Sequence, residues 1–195
     1  MELDRPKRIM VAITGASGMV YARRLLEVLP SAYDTIYMTA SENASAIIRD
    51  ELDVDKPSGL IPKGEESKFK LFESSDFFAP TASGSHEYDG LVIIPCSMGV
   101  VGRIASGVSN DLITRSADVC LKERRKLVLV VRETPLNLIH LRNLTALAEA
   151  GAIILPAAPA FYSRPESIYD LVEFIVDRVL RMLDVDIRLI KGWGE

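Results

Sequence analysis

Thr14-Gly15-Ala16-Ser17-Gly18 follows the apolar run Ile9 to Ile13 and precedes a helical pattern. Glycines at such a turn let backbone N–H groups approach an anion, and the dipole of the following helix favours negative charge. The loop is therefore expected to hold the phosphate of a cofactor, although a tight strand-to-helix turn uses the same glycines for packing alone. Pro95-Cys96-Ser97-Met98-Gly99, Arg132-Glu133-Thr134-Pro135 and the segment from Pro156 to Tyr162 also follow apolar runs. Arg132 and Glu133 are the most informative of these, because two charges at the end of an apolar strand are costly to bury without a partner or a task. Arg132 suits a phosphate and Glu133 a proton transfer. The structural alternative is an ordinary loop with Thr134 as N-cap and Pro135 at the first helical position.

Other charged and aromatic residues have plainer explanations from spacing alone. Asp111, Arg115, Asp118 and Lys122 fall on one helix face with alternating sign, the pattern of a solvated ion-pair stripe. Arg178 shares a line with Leu171, Ile175 and Met182, so it either snorkels to water or meets a buried anion. Tyr162 suits a core or interface aromatic. His86 and His140 have no carboxylate or cysteine at ligand spacing, and no metal site is expected. A nicotinamide cofactor would want an acid closing the second strand; Thr39-Ala40-Ser41 stands there with Glu42 one step late, which disfavours NAD.

The elements that must position these residues alternate along the chain. Short apolar runs at 9–13, 35–38, 91–94, 127–131 and 152–155 are of the kind buried on both faces of a parallel sheet. Helical patterns intervene: Ala22, Leu25, Leu26 and Leu29 repeat at three- and four-residue spacing before Pro30, and a second helix is expected from Glu42 to about Leu52. The polar stretch from Asp53 to Lys68 reads as a surface excursion. Right-handed crossovers then give a three-layer, Rossmann-like (flavodoxin-like), doubly wound α/β sheet, and ligands of such sheets bind beyond the carboxyl ends of the strands.

Composition sets the outer bounds. The 195 residues, 48% of them hydrophobic, suffice for one domain over residues 1–195 with a substantial core. A net charge of −4 without a basic stripe argues against nucleic acid as a partner. Two distant cysteines suggest neither a disulfide framework nor a metal site, no apolar run is long enough for a membrane span, and a reducing cytoplasm is the expected compartment.

Taken together, Gly15-Ala16-Ser17-Gly18, Ser83-Gly84-Ser85, Pro95-Cys96-Ser97-Met98, Ala117 through Arg125, Arg132 through Leu136 and Pro159-Ala160-Phe161-Tyr162 resemble the UbiX-type flavin prenyltransferases in order and spacing, over nearly the whole chain. The resemblance implies transfer of a dimethylallyl group from dimethylallyl phosphate to N5 and C6 of reduced FMN. The product, prenylated FMN, would serve a UbiD-type decarboxylase, and the chain would assemble as a homododecamer. By position, Gly15, Ala16, Ser17, Ser41, Ser97, Met98, Gly99, Val100 and Arg132 would contact FMN. Tyr162 and Arg178 would hold the donor, Arg115 and Lys122 would add positive charge, and Ser17, Glu51 and Glu133 would handle protons. Fixed cations suit this chemistry because breaking the allylic C–O bond leaves an anionic phosphate, and no metal is required.

Gly99-Val100 replaces the lysine and threonine common in the family, so backbone contacts must serve there; this departure motivates the alternative of a non-catalytic FMN-binding accessory subunit of an aromatic-acid decarboxylase. Phe77 or Phe78 would stand for the family's bulky aromatic, and Trp193 would pack over a neighbouring active site or its own subunit. The related flavin-dependent cysteine decarboxylases need a catalytic histidine and a Pro-Ala-Ser-Ala-Asn-type loop, which Pro95-Cys96-Ser97-Met98 does not resemble.

Overall fold

A computed structural model describes residues 5–162 and 164–192. Six strands, β1 (Arg8–Ile13), β2 (Thr35–Ala40), β3 (Phe69–Glu73), β4 (Gly90–Cys96), β5 (Lys126–Val131) and β6 (Ile153–Pro156), form one sheet in the order β3-β2-β1-β4-β5-β6. Every pairing is parallel. The helices are α1 (Met19–Val28), α2 (Glu42–Leu52), α3 (Met98–Ala105), α4 (Leu112–Lys122), α5 (Leu138–Glu149) and α6 (Ile168–Met182).

The apolar strand runs predict this arrangement because both sheet faces are covered. Ile9, Val11, Val92 and Val128 pack with α1 and α6 on one face, whereas Met10, Leu91, Ile93 and Leu127 pack with α3 and α4 on the other. Between β1 and β4 the chain leaves the sheet toward opposite faces, which opens a crevice at the carboxyl edge. Among the described residues no helix is long and apolar enough to cross a membrane.

The structure departs from expectation in three places. β3 extends the sheet at one edge although Lys70, Leu71 and Glu73 are exposed, since an edge strand keeps only part of its surface in the core. The 53–68 stretch is more than an excursion: it holds two 3₁₀ turns, and Leu60 within it is buried against the α1 core. Finally, α5 begins after Asn137 rather than Thr134. The Asn137 side chain accepts the His140 N–H at 2.9 Å and the His140 ring accepts the Asn137 N–H in return, while the Thr134 hydroxyl donates to its neighbour's carbonyl.

Candidate active site

Thr14 joins the loops after β1 and β4. Fully buried, its hydroxyl donates to the Pro95 carbonyl at 2.8 Å and accepts the Ser97 N–H at 2.9 Å. Arg132, at the end of β5, adds the third wall by donating from Nε to the Ser17 carbonyl at 3.2 Å. Three of the four strand ends named from sequence, those after β1, β4 and β5, thus converge on one crevice, with Ser17 exposed at its surface.

Glu51 occupies the place expected for a phosphate at the start of α1. Its carboxylate accepts the Gly18 N–H at 2.9 Å and the Met19 N–H at 2.8 Å. At Gly18 and Met19, therefore, the anion favoured by the helix dipole belongs to the chain itself, and a cofactor phosphate would have to use the loop's other N–H groups. Gly15 is held to glycine by a close approach: an added β-carbon would stand 2.8 Å from Asn43 Cβ in α2.

Two polar positions fit a cofactor. Ser97 caps α3, accepting the Val100 N–H, while a β-carbon added at Gly99 would meet nothing within 4 Å, so α3 starts beside open space at Gly99. Ser41 stands at the N-cap of α2, yet its buried hydroxyl has no partner, and the Thr39 hydroxyl beside it is likewise unsatisfied. Orphaned hydroxyls after β2, the Ser97 helix start after β4 and Arg132 after β5 together are a donor set along the carboxyl edge suited to a phosphorylated ligand such as FMN. Met98 is buried, so its side chain serves packing. Glu133 is exposed, its carboxylate accepting the Thr134 N–H at 3.0 Å.

A second cluster stands between β6 and α6. The Tyr162 ring meets Phe174 edge-on at 6.0 Å, and the Arg178 guanidinium lies 5.4 Å from the Phe174 ring centre. Arg178 is exposed, which resolves its alternatives in favour of a guanidinium near solvent; the buried charges of α6 are Glu173 and Asp177. Phe174, which links the two predicted donor ligands, carried no sequence signal beyond apolar periodicity.

Arg115 and Lys122 face the 80–85 segment instead of the crevice. Arg115 donates to the Ala82 carbonyl at 3.0 Å and pairs with Asp118 at 2.9 Å, so this part of the expected stripe is real. Asp111 instead caps α4, and Lys122 pairs with Glu123 beside Gly84. Lys122 closes α4 just ahead of β5, at the amino edge of the sheet. A cavity of about 570 Å³ bounded by Lys7, Tyr33, Asp89, Lys126 and Asp184 also lies at this edge, away from the crevice. Both Phe77 and Phe78 are exposed. Trp193 lies outside the described residues.

The Flavoprotein family model matches residues 1–180. Flavin prenyltransferase UbiX of Methanocaldococcus jannaschii is 45% identical over 96% of this chain and 98% of its own length. The crystal structure of AnUbiX (PadA1) in complex with FMN and dimethylallyl pyrophosphate superposes with a TM-score of 0.91 at 41% identity, covering 98% of this chain and 99% of that one. A dodecameric FMN-dependent UbiX-like decarboxylase from Escherichia coli gives a TM-score of 0.89 at 35% identity, over 96% of this chain and all of that one. The three-layer parallel fold, the crevice at its carboxyl edge and this likeness along nearly the full length place the chain in the Flavoprotein family and, within it, among the UbiX flavin prenyltransferases.

Proposed function

We propose that this protein joins a dimethylallyl group from dimethylallyl monophosphate to N5 and C6 of reduced FMN, and that the prenylated FMN passes to a UbiD-type decarboxylase. The observation that carries the reading is the Arg132 bond to the Ser17 carbonyl, which draws the β1 and β5 loops into one wall beside the Ser97 cap. Reduced FMN supplies the nucleophilic N5 and C6: the N5 bond would form as the allylic C–O bond breaks and inorganic phosphate leaves, and the C6 bond as the alkene takes up a proton and C6 gives one up.

The protein's part is holding, shielding and proton handling. Gly15, Ala16, Ser17, Ser41, the first turn of α3 from Ser97 to Val100, and Arg132 bind FMN. Tyr162 and Arg178 hold the donor phosphate, with Phe174 as the apolar surface beside it. Ser17 and Glu133 on the crevice loops, with Glu51 from the last turn of α2, serve as proton carriers; Glu51 also keeps the β1 loop in place through Gly18 and Met19. Arg115 and Lys122 turn to the 80–85 segment, so their charge reaches a donor bound by another copy of the chain. A homo-oligomer, as in the dodecameric relative, completes the site. Cys96 and Cys120 are unpaired thiols, which suits work in the cytoplasm.

The test is anaerobic incubation with reduced FMN and dimethylallyl phosphate, followed by mass spectrometry of the released flavin. A flavin carrying an added five-carbon unit is expected, and its absence would overturn the proposal in favour of an accessory FMN-binding role. Direct competition between monophosphate and diphosphate decides the donor. The monophosphate is expected to win, because the few cations proposed for the site match the smaller anion better.

A further inference from the structure

A carboxylate buried in a helix needs a partner that repays its lost hydration, and α6 contains one whose partners are informative. Asp177 is 0% exposed. One of its oxygens accepts from Arg181 Nε at 2.6 Å, and the other accepts the backbone N–H of Leu189 at 3.0 Å. The second bond ties the helix to chain that follows it by twelve residues.

That chain turns back on itself. The Val185 N–H returns to the Leu180 carbonyl at 3.0 Å, Asp184 takes a left-handed φ of 56°, and Asp184 pairs with Lys126 at the start of β5. These contacts fix the reversal at the amino edge of the sheet. Val185, Ile187, Leu189 and Ile190 then pack against the α1/α6 core, and by Leu189 the chain has climbed back to the level of Asp177, immediately beside Arg178 in sequence. On the preceding turn of α6, Glu173 accepts from Arg24 Nε of α1 at 2.8 Å. Two acids four residues apart therefore grip one stretch of helix, Glu173 from α1 and Asp177 from the returning segment. That stretch carries Phe174, whose ring meets Tyr162, and leads directly into Arg178, whose guanidinium lies over the Phe174 ring.

We infer that Asp177 is a positioning residue for the donor phosphate: by fastening the returning segment to α6 it fixes the helix rotation that presents Arg178 and Phe174 to the crevice. The inference deepens the proposed function and rests on its assignment of Arg178 to the donor.

The test uses FMN-loaded protein, with dimethylallyl phosphate binding read by calorimetry as the primary readout and kcat, where the parent turns over, as a second. Asp177→Asn keeps an acceptor for the Leu189 N–H but loses the charge facing Arg181; Asp177→Ala loses both. Donor affinity is expected to weaken about tenfold in the alanine variant and by roughly threefold in the asparagine variant, with saturating kcat and FMN affinity within about twofold of the parent. Amide hydrogen exchange should rise across residues 185–190. Unchanged donor affinity in both variants would overturn the inference, as would a parallel fall of donor affinity, FMN affinity and kcat, which marks a purely structural role. Should the alanine variant fail to fold, the asparagine variant decides alone. Parent protein that binds the donor yet makes no prenylated flavin sinks the proposed function but leaves this test valid, whereas parent protein that binds no donor sinks both.

Discussion

Glu51 shows how one side chain can secure a loop from a distance. It reaches α1 from the end of α2 and satisfies two N–H groups that no intrahelical acceptor can reach. Glu51→Ala is expected to lower unfolding free energy by about 1 kcal/mol, and Glu51→Gln by roughly half that because an amide oxygen still accepts, as checked by urea denaturation. The polar residues at strand ends, Ser97 and Arg132 among them, could be read from sequence because a charge or hydroxyl directly after an apolar strand has few places to go. The bond from Glu51 could not, since it joins residues 33 positions apart through the packing of two helices. Arg178 was noted for lying on an apolar stripe, yet the fully buried charge is its neighbour Asp177. The segment after α6 covers a second side of that helix, so periodicity alone misplaced the centre of its buried arc by one residue.

At the scale of elements, capping decides where helices begin. Asn137→Ala removes the bond that starts α5 and is expected to cost about 1 kcal/mol in the same assay, while Thr134→Ala should change stability by only a few tenths. α4 carries a pH-dependent start. Burial alone would raise the Asp111 carboxyl, but hydrogen bonds from the Thr114 N–H and hydroxyl, with Arg103 at 2.5 Å, hold it below the ordinary aspartate range. A carboxyl lowered in the folded state contributes stability above its unfolded value, and that contribution is lost as pH falls through the folded one. Asp111→Asn should therefore flatten the acid side of a stability profile measured below about pH 4, where ordinary aspartates titrate. The four inner strands, buried on both faces, and the partly buried edge strand β6 were legible as apolar runs. β3 was not, because an edge strand with exposed Lys70, Leu71 and Glu73 has no continuous apolar run to announce it.

Across the whole molecule, the fold class followed from alternation alone, and the sheet order places the crevice where β1 and β4 send their chains to opposite faces. What sequence could not convey is direction: Arg115 and Lys122 belong to the same motif set as the crevice residues but turn to the 80–85 segment. If neighbouring copies supply those cations, Lys122→Ala and Arg178→Ala should each abolish most prenylation. The two variants, co-assembled one to one, should regain about a quarter of the parent activity, since that share of sites draws both intact residues. A mixture as inactive as its components would confine both residues to a single chain. On this arrangement, the 80–85 face and the crevice of one molecule are halves of two different sites, so a copy ruined at both ends silences its neighbour as well as itself, and damage travels one molecule beyond the chain that bears it.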